Sequence, residues 1–398
     1  MAVNLPPVGK LLAVPGIRIG TAAARIKYRD REDLAVFALD RGSAVGGIFT
    51  QNSFRAAPVT VAAERLGSAR GLVVNSGNAN AATGQRGLED ARASCAIAAD
   101  VLGCDADEVL PFSTGVIGEL LPMDRLADGI RRAASALREN AWVAAAGAIM
   151  TTDTQPKGVS GRFEIGGSQV TATAICKGSG MIRPDMATLL AFLGTDASLS
   201  GNAVQRLARD LGERSFNRLT IDGDTSTNDS FVVAATGRSG AGDEHYDALL
   251  AAFTPLAVEL AERTVRDGEG ATKFVAVTVR GGASADECLR AAYTVAHSPL
   301  VKTALFAGDP NWGRFCMAIG RAGIEDLDTT GVSLHLDEVC VAEGGLVAAS
   351  YTEEQGAAVM ARDEFTVRID LGRGHCAETV WTSDLSYEYV RINAEYRT

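Results

Sequence analysis

Short apolar runs separated by turn residues predict that this chain begins with β-structure. The runs 34–39 and 44–49 are bounded by Asp40-Arg41-Gly42, a typical turn sequence. A further pair of runs over 163–175, with a glycine pair at its centre, predicts a hairpin. The first half of the chain is therefore expected to be rich in strands.

Three polar, small-residue stretches are predicted to be loops. They cover 75–84, 109–118 and 220–231. The first follows a short apolar run and precedes a helical pattern. Loops between strands and helices are where α/β folds carry functional residues. These three stretches are therefore the first places to look for chemistry.

Segments with helical periodicity alternate with the strands, so the pattern predicts an α/β fold. From about residue 283 the character changes, and we expect a catalytic domain over 1–282 followed by a smaller C-terminal α/β lobe over 283–398. The end of the chain, 387–398, alternates like a strand. Helices are predicted at 87–102, within 123–150, and at 200–214, 246–268, 285–296 and 352–362.

Length and charge narrow the functional classes. A chain of 398 residues is too long for one average core, so we expect two domains or one large domain with an appendage. The net charge of −11 argues against a nucleic-acid partner, which requires a basic face. The seven cysteines form no C-x-x-C pair, so we expect reduced cysteines and no zinc site. With no secretory leader and no apolar run near ~18 residues, a cytoplasmic protein without a membrane partner is expected.

The central stretch combines one cation with a hydroxyl. Lys177 opens the glycine-rich sequence Lys177-Gly-Ser-Gly180, which lacks the spacing of a P-loop. It marks either a turn between strands or a cation that binds a carboxylate. By position alone, Thr188 is a strand residue. If the chain is cut before it, its free α-amine becomes a base for its own hydroxyl.

Other polar positions each have two interpretations. Thr114-Gly115 is either a plain turn or an oxyanion hole. Glu269 either follows the end of a helix or offers a carboxylate to a substrate amine. Asp222, Asp224 and Asp229 suggest a cation site, but the glutamate of an EF-hand loop is missing. Asx turns explain these aspartates better.

Taken in order, these stretches resemble the glutamate N-acetyltransferases of arginine biosynthesis, also called ornithine acetyltransferases. The central match is the sequence from Lys177 to Leu190, Lys-Gly-Ser-Gly-Met-Ile-Arg-Pro-Asp-Met-Ala-Thr-Leu-Leu, which is similar to the autocleavage motif of that family. The resemblance runs from the first residues to the last. The other similar motifs cover 75–80, 110–118, 148–154, 222–231, 308–314 and 389–398.

This resemblance implies a layered αββα sandwich and a precursor that cuts itself between Ala187 and Thr188. The α chain, 1–187, and the β chain, 188–398, would stay together, usually as a heterotetramer of two α and two β chains. Thr188 would become the N-terminal nucleophile. It would take acetyl from N2-acetyl-L-ornithine as an ester and pass it to L-glutamate.

The resemblance also implies the other roles at the site. Thr114 and Gly115 match the oxyanion-hole pair, and Glu269 matches a residue that holds the amino region of the substrate and assists proton transfer. No metal or organic cofactor is implied, since the acetyl group is carried by Thr188, and the use of acetyl-CoA as a donor stays open. The implied substrate contacts are Thr151 or Thr152, Lys177, Thr188, Glu269, Asn393 and Thr398.

Two departures and two alternatives accompany the resemblance. Asp185 stands where an amide is more usual, and Leu189 stands where methionine is more usual. An aminopeptidase or amidase with the same threonine nucleophile would use water as acceptor. A binding protein for amino acids would keep the pocket without being cut.

The substitution Thr188→Ala tests the implied nucleophile. We expect the wild-type protein to give two bands on a denaturing gel, of 187 residues and 398 − 187 = 211 residues. The variant lacks the hydroxyl that attacks the Ala187 carbonyl, so it should give one full-length band and no acetyl transfer. Transfer by the uncut variant would place the nucleophile elsewhere.

Overall fold

The computed structural model describes residues 2–183 and 189–395, and strands account for much of them. In chain order the strands are β1 (Ile17–Ala22), β2 (Leu34–Leu39), β3 (Ala44–Phe49), β4 (Gly67–Ser68), β5 (Gly71–Asn78), β6 (Val109–Val116), β7 (Lys157–Ile165), β8 (Ser168–Lys177), β9 (Leu190–Thr195), β10 (Leu219–Thr220), β11 (Ser230–Ala235), β12 (Phe274–Gly282), β13 (Ser333–Leu336), β14 (Val339–Glu343), β15 (Leu346–Val347), β16 (Glu364–Asp370) and β17 (Cys376–Ser383).

The helices lie between these strands, as in the predicted α/β class. They are α1 (Ala57–Glu64), α2 (Gly84–Leu102), α3 (Met123–Ser135), α4 (Trp142–Ala148), α5 (Gly201–Arg214), α6 (Tyr246–Arg266), α7 (Ala285–Ala296), α8 (Pro299–Ala307), α9 (Trp312–Gly320), α10 (Glu353–Met360) and α11 (Tyr387–Ala394). None of the described helices is long and apolar enough to cross a lipid bilayer.

The chain forms two compact units. The larger, here called the sandwich unit, comprises 6–217 and 224–264, and the C-terminal unit comprises the described residues of 1–5, 218–223 and 265–398. The sequence places the change of domain at residue 283, whereas the C-terminal unit already includes β12. This strand cannot be separated from that unit, because it pairs with both β16 and β17.

The sandwich unit is built from two sheets. One has the strand order β1-β2-β5-β6, and the other has the order β4-β3-β11-β9-β8-β7. Their facing sides share one hydrophobic core, in which Phe192 of β9 lies 5.5 Å from Phe37 and 5.1 Å from Phe112, measured between ring centroids. Aromatic contacts at these distances join the two sheets.

Helices cover the outer face of each sheet. Alternate residues of β2 point to opposite sides, so Phe37 enters the core between the sheets while Val36 packs among residues of α2 and α3. On the second sheet, Phe231 of β11 contacts Phe216 just beyond α5, and Phe163 of β7 contacts Phe253 of α6. The layers therefore run helix, sheet, sheet, helix, which confirms the predicted αββα sandwich.

The C-terminal unit has its own sheet and core. Its seven strands follow the order β10-β17-β12-β16-β13-β14-β15. Apolar residues of α7, α8, α9 and α10 form one buried cluster with these strands.

Several sequence predictions agree closely with the structure. The bounds of β2, β3 and α7 match the predicted ranges. The predicted hairpin is β7 and β8, which pair in antiparallel register across the two glycines. Helix α5 begins after Ser200, whose side chain accepts a hydrogen bond from the Ala203 N–H, as a helix cap does.

The loop predicted over 109–118 is wrong, because most of it is strand β6. The small and polar residues of this stretch favoured a loop, and it also contains Pro111. β6 is an edge strand, however, where a residue without an N–H is tolerated. The loop predicted over 75–84 is wrong in its first part, because Asn75–Asn78 continue β5. Their polar side chains are buried and hydrogen-bonded, as Asn75 Nδ2 donates to the Asn78 carbonyl at 2.9 Å.

The strand predicted at the C-terminus is wrong as well, because the described part is helix α11. Ser386 caps this helix by accepting a hydrogen bond from the Tyr389 N–H. Arg391 pairs with Glu388 and Glu395, three residues before it and four after it. These spacings favour a helix, and the alternation of apolar residues buries no face here, since no residue of α11 is buried.

The substitution Phe192→Ala should destabilise the sandwich unit by about 3–5 kcal/mol, because it leaves a cavity between the two sheets. Chemical denaturation of the purified variant measures the change. Phe54→Ala is the matched control, since Phe54 is 75% exposed and should change the free energy of unfolding by less than about 0.5 kcal/mol. Equal effects of the two substitutions would contradict this account of the core.

Candidate functional site

Lys177 is the last residue of β8, and it is buried. It pairs with Leu190, the first residue of the neighbouring strand β9. After Lys177 the chain turns at Gly178, whose φ is +155°. A side chain at Gly178 would meet Ile182 and Leu189 within about 3.2 Å, so the turn needs glycine.

The carboxylate of Asp153 ties two segments together beside Lys177. Its Oδ1 accepts hydrogen bonds from Lys157 Nζ and from the Gly178 N–H, both at 2.7 Å. Its Oδ2 accepts one from the Thr151 N–H at 2.9 Å. The loop before β7 and the loop after β8 are thus held by one side chain.

Asp153 is ionised although it is fully buried. Burial raises the pKa of this carboxyl, but the charges of Lys157 and Lys177, together with the hydrogen bonds, bring the pKa well below its usual range. The side chains of Lys157 and Asp153 are both 0% exposed. This contact is therefore a buried ion pair next to the candidate cation.

The two predicted threonine contacts lie in the same network. Thr152 Oγ1 and Ser179 Oγ are 2.7 Å apart, which joins the loop before β7 to the glycine-rich stretch. Thr151 contributes its N–H to Asp153. The structure therefore places Thr151 and Thr152 in the network that also holds Gly178 and Ser179, the two residues after Lys177. Their role as substrate contacts stays a prediction.

Thr114 and Gly115 lie near the end of β6 rather than in a loop. Gly115 has a φ of +132°, and a side chain there would meet backbone atoms of Gly77 and Asn78 at 2.3–2.7 Å. Only glycine fits this close approach. Asn228 holds the same strand end, because its Nδ2 donates to the carbonyls of Ser113 at 2.8 Å and of Ala79 at 2.6 Å.

Asp229 follows Asn228 and is fully buried near Lys177. Burial raises the pKa of the Asp229 carboxyl well above its usual value, and the hydrogen bonds with the side chain and backbone of Ser226 and the charge of Lys177 offset this only in part. Its Oδ2 accepts no hydrogen bond from the described residues. The next residue, Ser230, donates its N–H to the Leu189 carbonyl at 2.8 Å.

Ala187, Thr188 and Thr398 lie outside the described residues, as does Asp185. Leu189, which follows Thr188 in the chain, is buried at the start of β9.

Glu269 and Asn393 meet in the C-terminal unit. Asn393 Nδ2 donates to Glu269 Oε2 at 2.8 Å and to the Tyr389 carbonyl at 3.0 Å. Glu269 is 8% exposed, and Gly270 next to it accepts a hydrogen bond from Ser386 Oγ at the start of α11. Helix α11 is thereby fixed beside Glu269.

The structure gives no support to a cation site at the three aspartates. Asp222 accepts a hydrogen bond from Tyr389, Asp224 is exposed and Asp229 is buried. Among the described residues no group of three histidine, cysteine, aspartate or glutamate side chains is suited to hold a metal.

Sequence reasoning missed the side chains that hold the site together: Asp153, Ser179, Asn228 and Asp229. Asp153 stands four residues before Lys157, and this spacing of opposite charges is the sequence signal that could have indicated the ion pair. Asp229 was assigned to an Asx turn. Nothing in the local sequence distinguishes it from Asp222, which is half-buried, and Asp224, which is exposed, because its burial depends on the pairing of β11 with β9.

The fold and this cluster define the class of protein as a layered αββα enzyme whose polar cluster lies at the ends of central strands. The sequence matches the ArgJ family over residues 18–398. The arginine biosynthesis bifunctional protein ArgJ of Pseudomonas syringae pv. tomato is 53% identical over 405 residues, which cover 100% of both chains. The protein of the same name from Methylococcus capsulatus is 53% identical over 395 residues, 98% of this chain and 97% of that one. The chain belongs to the ArgJ family, so the predicted family is confirmed, and with it the assignment to the enzymes of arginine biosynthesis.

A crystal structure of ArgJ from Bacillus halodurans is also similar. It shares 34% sequence identity, covers 50% of this chain and 95% of its own chain, and gives a TM-score of 0.47.

The substitution Asp153→Asn should destabilise the protein by about 3–5 kcal/mol, since it removes the carboxylate partner of a buried lysine. The ionised form of Asp153 stabilises the fold above the unfolded pKa of aspartate, and this contribution is lost as the pH falls toward the lowered pKa of the folded state. As the pH falls below about 4, the free energy of unfolding should therefore decrease more in wild type than in the variant. Unfolding experiments at a series of acidic pH values measure this difference.

Asp128→Asn is the matched control for this prediction. Asp128 forms an exposed ion pair with Arg132, four residues later, which contributes about 0.2–1 kcal/mol or less. Similar losses in the two variants would argue against a buried, charged Asp153.

Proposed function

We propose that this ArgJ-family enzyme transfers the acetyl group of N2-acetyl-L-ornithine to L-glutamate through an ester on Thr188. Thr188 Oγ attacks the acetyl carbonyl and gives its proton to the α-amine of the same residue. The ornithine nitrogen takes this proton and leaves. The amine of glutamate then attacks the ester, which releases N-acetyl-L-glutamate and restores the hydroxyl.

The proposal includes self-cleavage between Ala187 and Thr188, since only a cut chain has a free α-amine at Thr188. Such an amine has an ordinary pKa of about 7.7–8.0, so a sizeable fraction is neutral near pH 7 and accepts the hydroxyl proton. The α and β chains remain associated, as a heterotetramer of two α and two β chains, in the cytoplasm. Since the acetyl group is carried by Thr188, the reaction needs no metal or organic cofactor.

The observation that carries the proposal is the setting of the residue that follows Thr188. Leu189 is buried at the start of β9, its carbonyl is held by Ser230, and the next residue pairs with Lys177. A cut between Ala187 and Thr188 would leave the new N-terminal residue attached, through Leu189, to a rigid central strand. This supports Thr188 as a positioned nucleophile rather than an ordinary strand residue.

The remaining roles are proposed on chemistry. Lys177 binds a substrate carboxylate as a point charge, and Thr152 contributes a hydroxyl from the same network. Thr114 and Gly115 stabilise the tetrahedral oxyanion, where one donor is worth about 10²–10³ in rate. Glu269 holds the amino region of the substrate and assists proton transfer, with Asn393 and Thr398 as further contacts.

Initial rates with both substrates varied test this function. We expect parallel double-reciprocal lines, because acetyl leaves the donor before the acceptor binds, and ornithine release that depends on glutamate. A parallel assay with acetyl-CoA as donor decides whether it is also used. Thr188→Ala is the control for background transfer.

Ornithine release at the same rate without glutamate would contradict the proposal. It would identify the protein as an amidase in which water is the acceptor.

A further inference from the structure

Asp229 is a buried acid with no role in the proposed reaction. Its side chain lies in the sandwich unit, 2% exposed, within electrostatic reach of Lys177. Its carbonyl accepts a hydrogen bond from the Thr50 N–H at 3.0 Å, so the backbone at this point is fixed. A buried carboxyl oxygen that accepts no hydrogen bond from the described residues is costly, and it calls for a physical reason.

The charges around Lys177 do not balance when Asp229 is neutral. Lys157 and Lys177 each carry one positive charge, and Asp153 supplies one negative charge, shared between them. Among the described residues, Asp229 is a further buried titratable group beside Lys177, and Tyr28 also interacts with Asp153. Counted over Lys157, Lys177, Asp153 and Asp229 alone, a neutral Asp229 leaves one positive charge over, and an ionised Asp229 balances the charges.

Geometry and electrostatics both favour the neutral form without substrate. The Asp229 side chain is hydrogen-bonded only by Ser226 among the described residues, and its Oδ2 has no partner there, whereas both oxygens of Asp153 accept hydrogen bonds, from three different residues. Burial accordingly raises the pKa of Asp229 while that of Asp153 is lowered. Lys177 of β8 pairs with Leu190 of β9, and Leu190 pairs on its other side with Ser230, the residue after Asp229. Among the described residues, Lys177 is the one whose charge acts on Asp229, and Asp153 bonds to Lys157 and to Gly178, the residue after Lys177. The leftover positive charge then suits an anion from outside, such as a carboxylate of the substrate.

We infer that Asp229 is a positioning residue that sets how strongly Lys177 holds the carboxylate of the substrate. In its neutral form Asp229 leaves Lys177 free to bind that carboxylate. In its ionised form it competes for the same ammonium group, and the proton that it loses goes to water. The inference rests on the proposed role of Lys177 as a carboxylate-binding residue, and it adds a built-in competitor to that site.

The test is the pH dependence of KM for N2-acetyl-L-ornithine in wild type and in Asp229→Asn. The amide has the shape of the neutral acid but cannot ionise. The two enzymes should have similar KM values at mildly acidic pH. As the pH rises through the pKa of Asp229, KM should increase in wild type by about tenfold or more and stay lower in the variant, since a hydrogen bond to a charged group is worth about 1.5–3 kcal/mol. Comparing the enzymes at each pH cancels the titration of the substrate and of the Thr188 amine.

Asp196→Asn is the matched control. Asp196 is another buried carboxyl with a raised pKa, but it lies just past the other end of β9, away from Lys177. The KM of the Asp196→Asn variant for N2-acetyl-L-ornithine should change with pH as the KM of wild type does. A merely structural role of Asp229 would change KM by a constant factor at every pH, and this result would overturn the inference.

A second measurement on wild type alone covers the case in which Asp229→Asn does not fold. The ratio of KM for N2-acetyl-L-ornithine to KM for its α-carboxamide should rise with pH, because only the carboxylate competes with Asp229. A ratio that does not change with pH would overturn the inference. Failure of the proposed function would appear differently, as absence of glutamate-dependent transfer by wild type at any pH.

Discussion

The buried carboxylate of Asp153 is the contact on which the sandwich unit's polar cluster depends. It accepts hydrogen bonds from Lys157, Gly178 and Thr151, which belong to two loops far apart in sequence. Burying two charges costs several kcal/mol per ion before their attraction is counted, so a pair of apolar residues would often be as stable. What the ion pair adds is direction. The two oxygens of Asp153 accept three hydrogen bonds from both segments, which are thereby held in one arrangement beside Lys177.

A second constraint is the close approach of β5 and β6 at their ends. Gly115 lies against the backbone of Gly77, and Asn228 bonds to the carbonyls of Ser113 and Ala79. The end of β6 therefore cannot shift relative to the start of β11. Because Ser230 of β11 also holds Leu189, one short segment, Asn228–Ser230, connects β6 of one sheet to β9 of the other. Electrostatic catalysis needs donors that do not reorganise during the reaction, and this segment provides such rigidity.

The parts of the fold that sequence predicts well are those in which local pattern and tertiary packing agree. β2 and β3 are apolar runs between turns, and α5 has a capping serine at Ser200. The predictions fail where tertiary context overrides local preference. β6 tolerates Pro111 because it is an edge strand, and Asn75 enters β5 because buried partners satisfy its amide. In α11, ion pairs and a cap outweigh an alternating pattern that has no buried face to serve.

The candidate site likewise contains residues that the sequence predicts and residues that only the fold reveals. The resemblance gives roles to Lys177 and Thr152 but none to Asp153 and Asp229, although all four lie in matching motifs and belong to one cluster. The two aspartates are the same residue type and both are buried, yet their pKa values move in opposite directions. The difference comes from the donors that each meets, and those donors are brought by strands distant in sequence. A motif can indicate candidate substrate-binding residues. The protonation state of the buried aspartates near them depends on contacts that only the folded sheet creates. In the proposed site, that state decides whether the charge of Lys177 is already neutralised by Asp229 or is available to a substrate carboxylate.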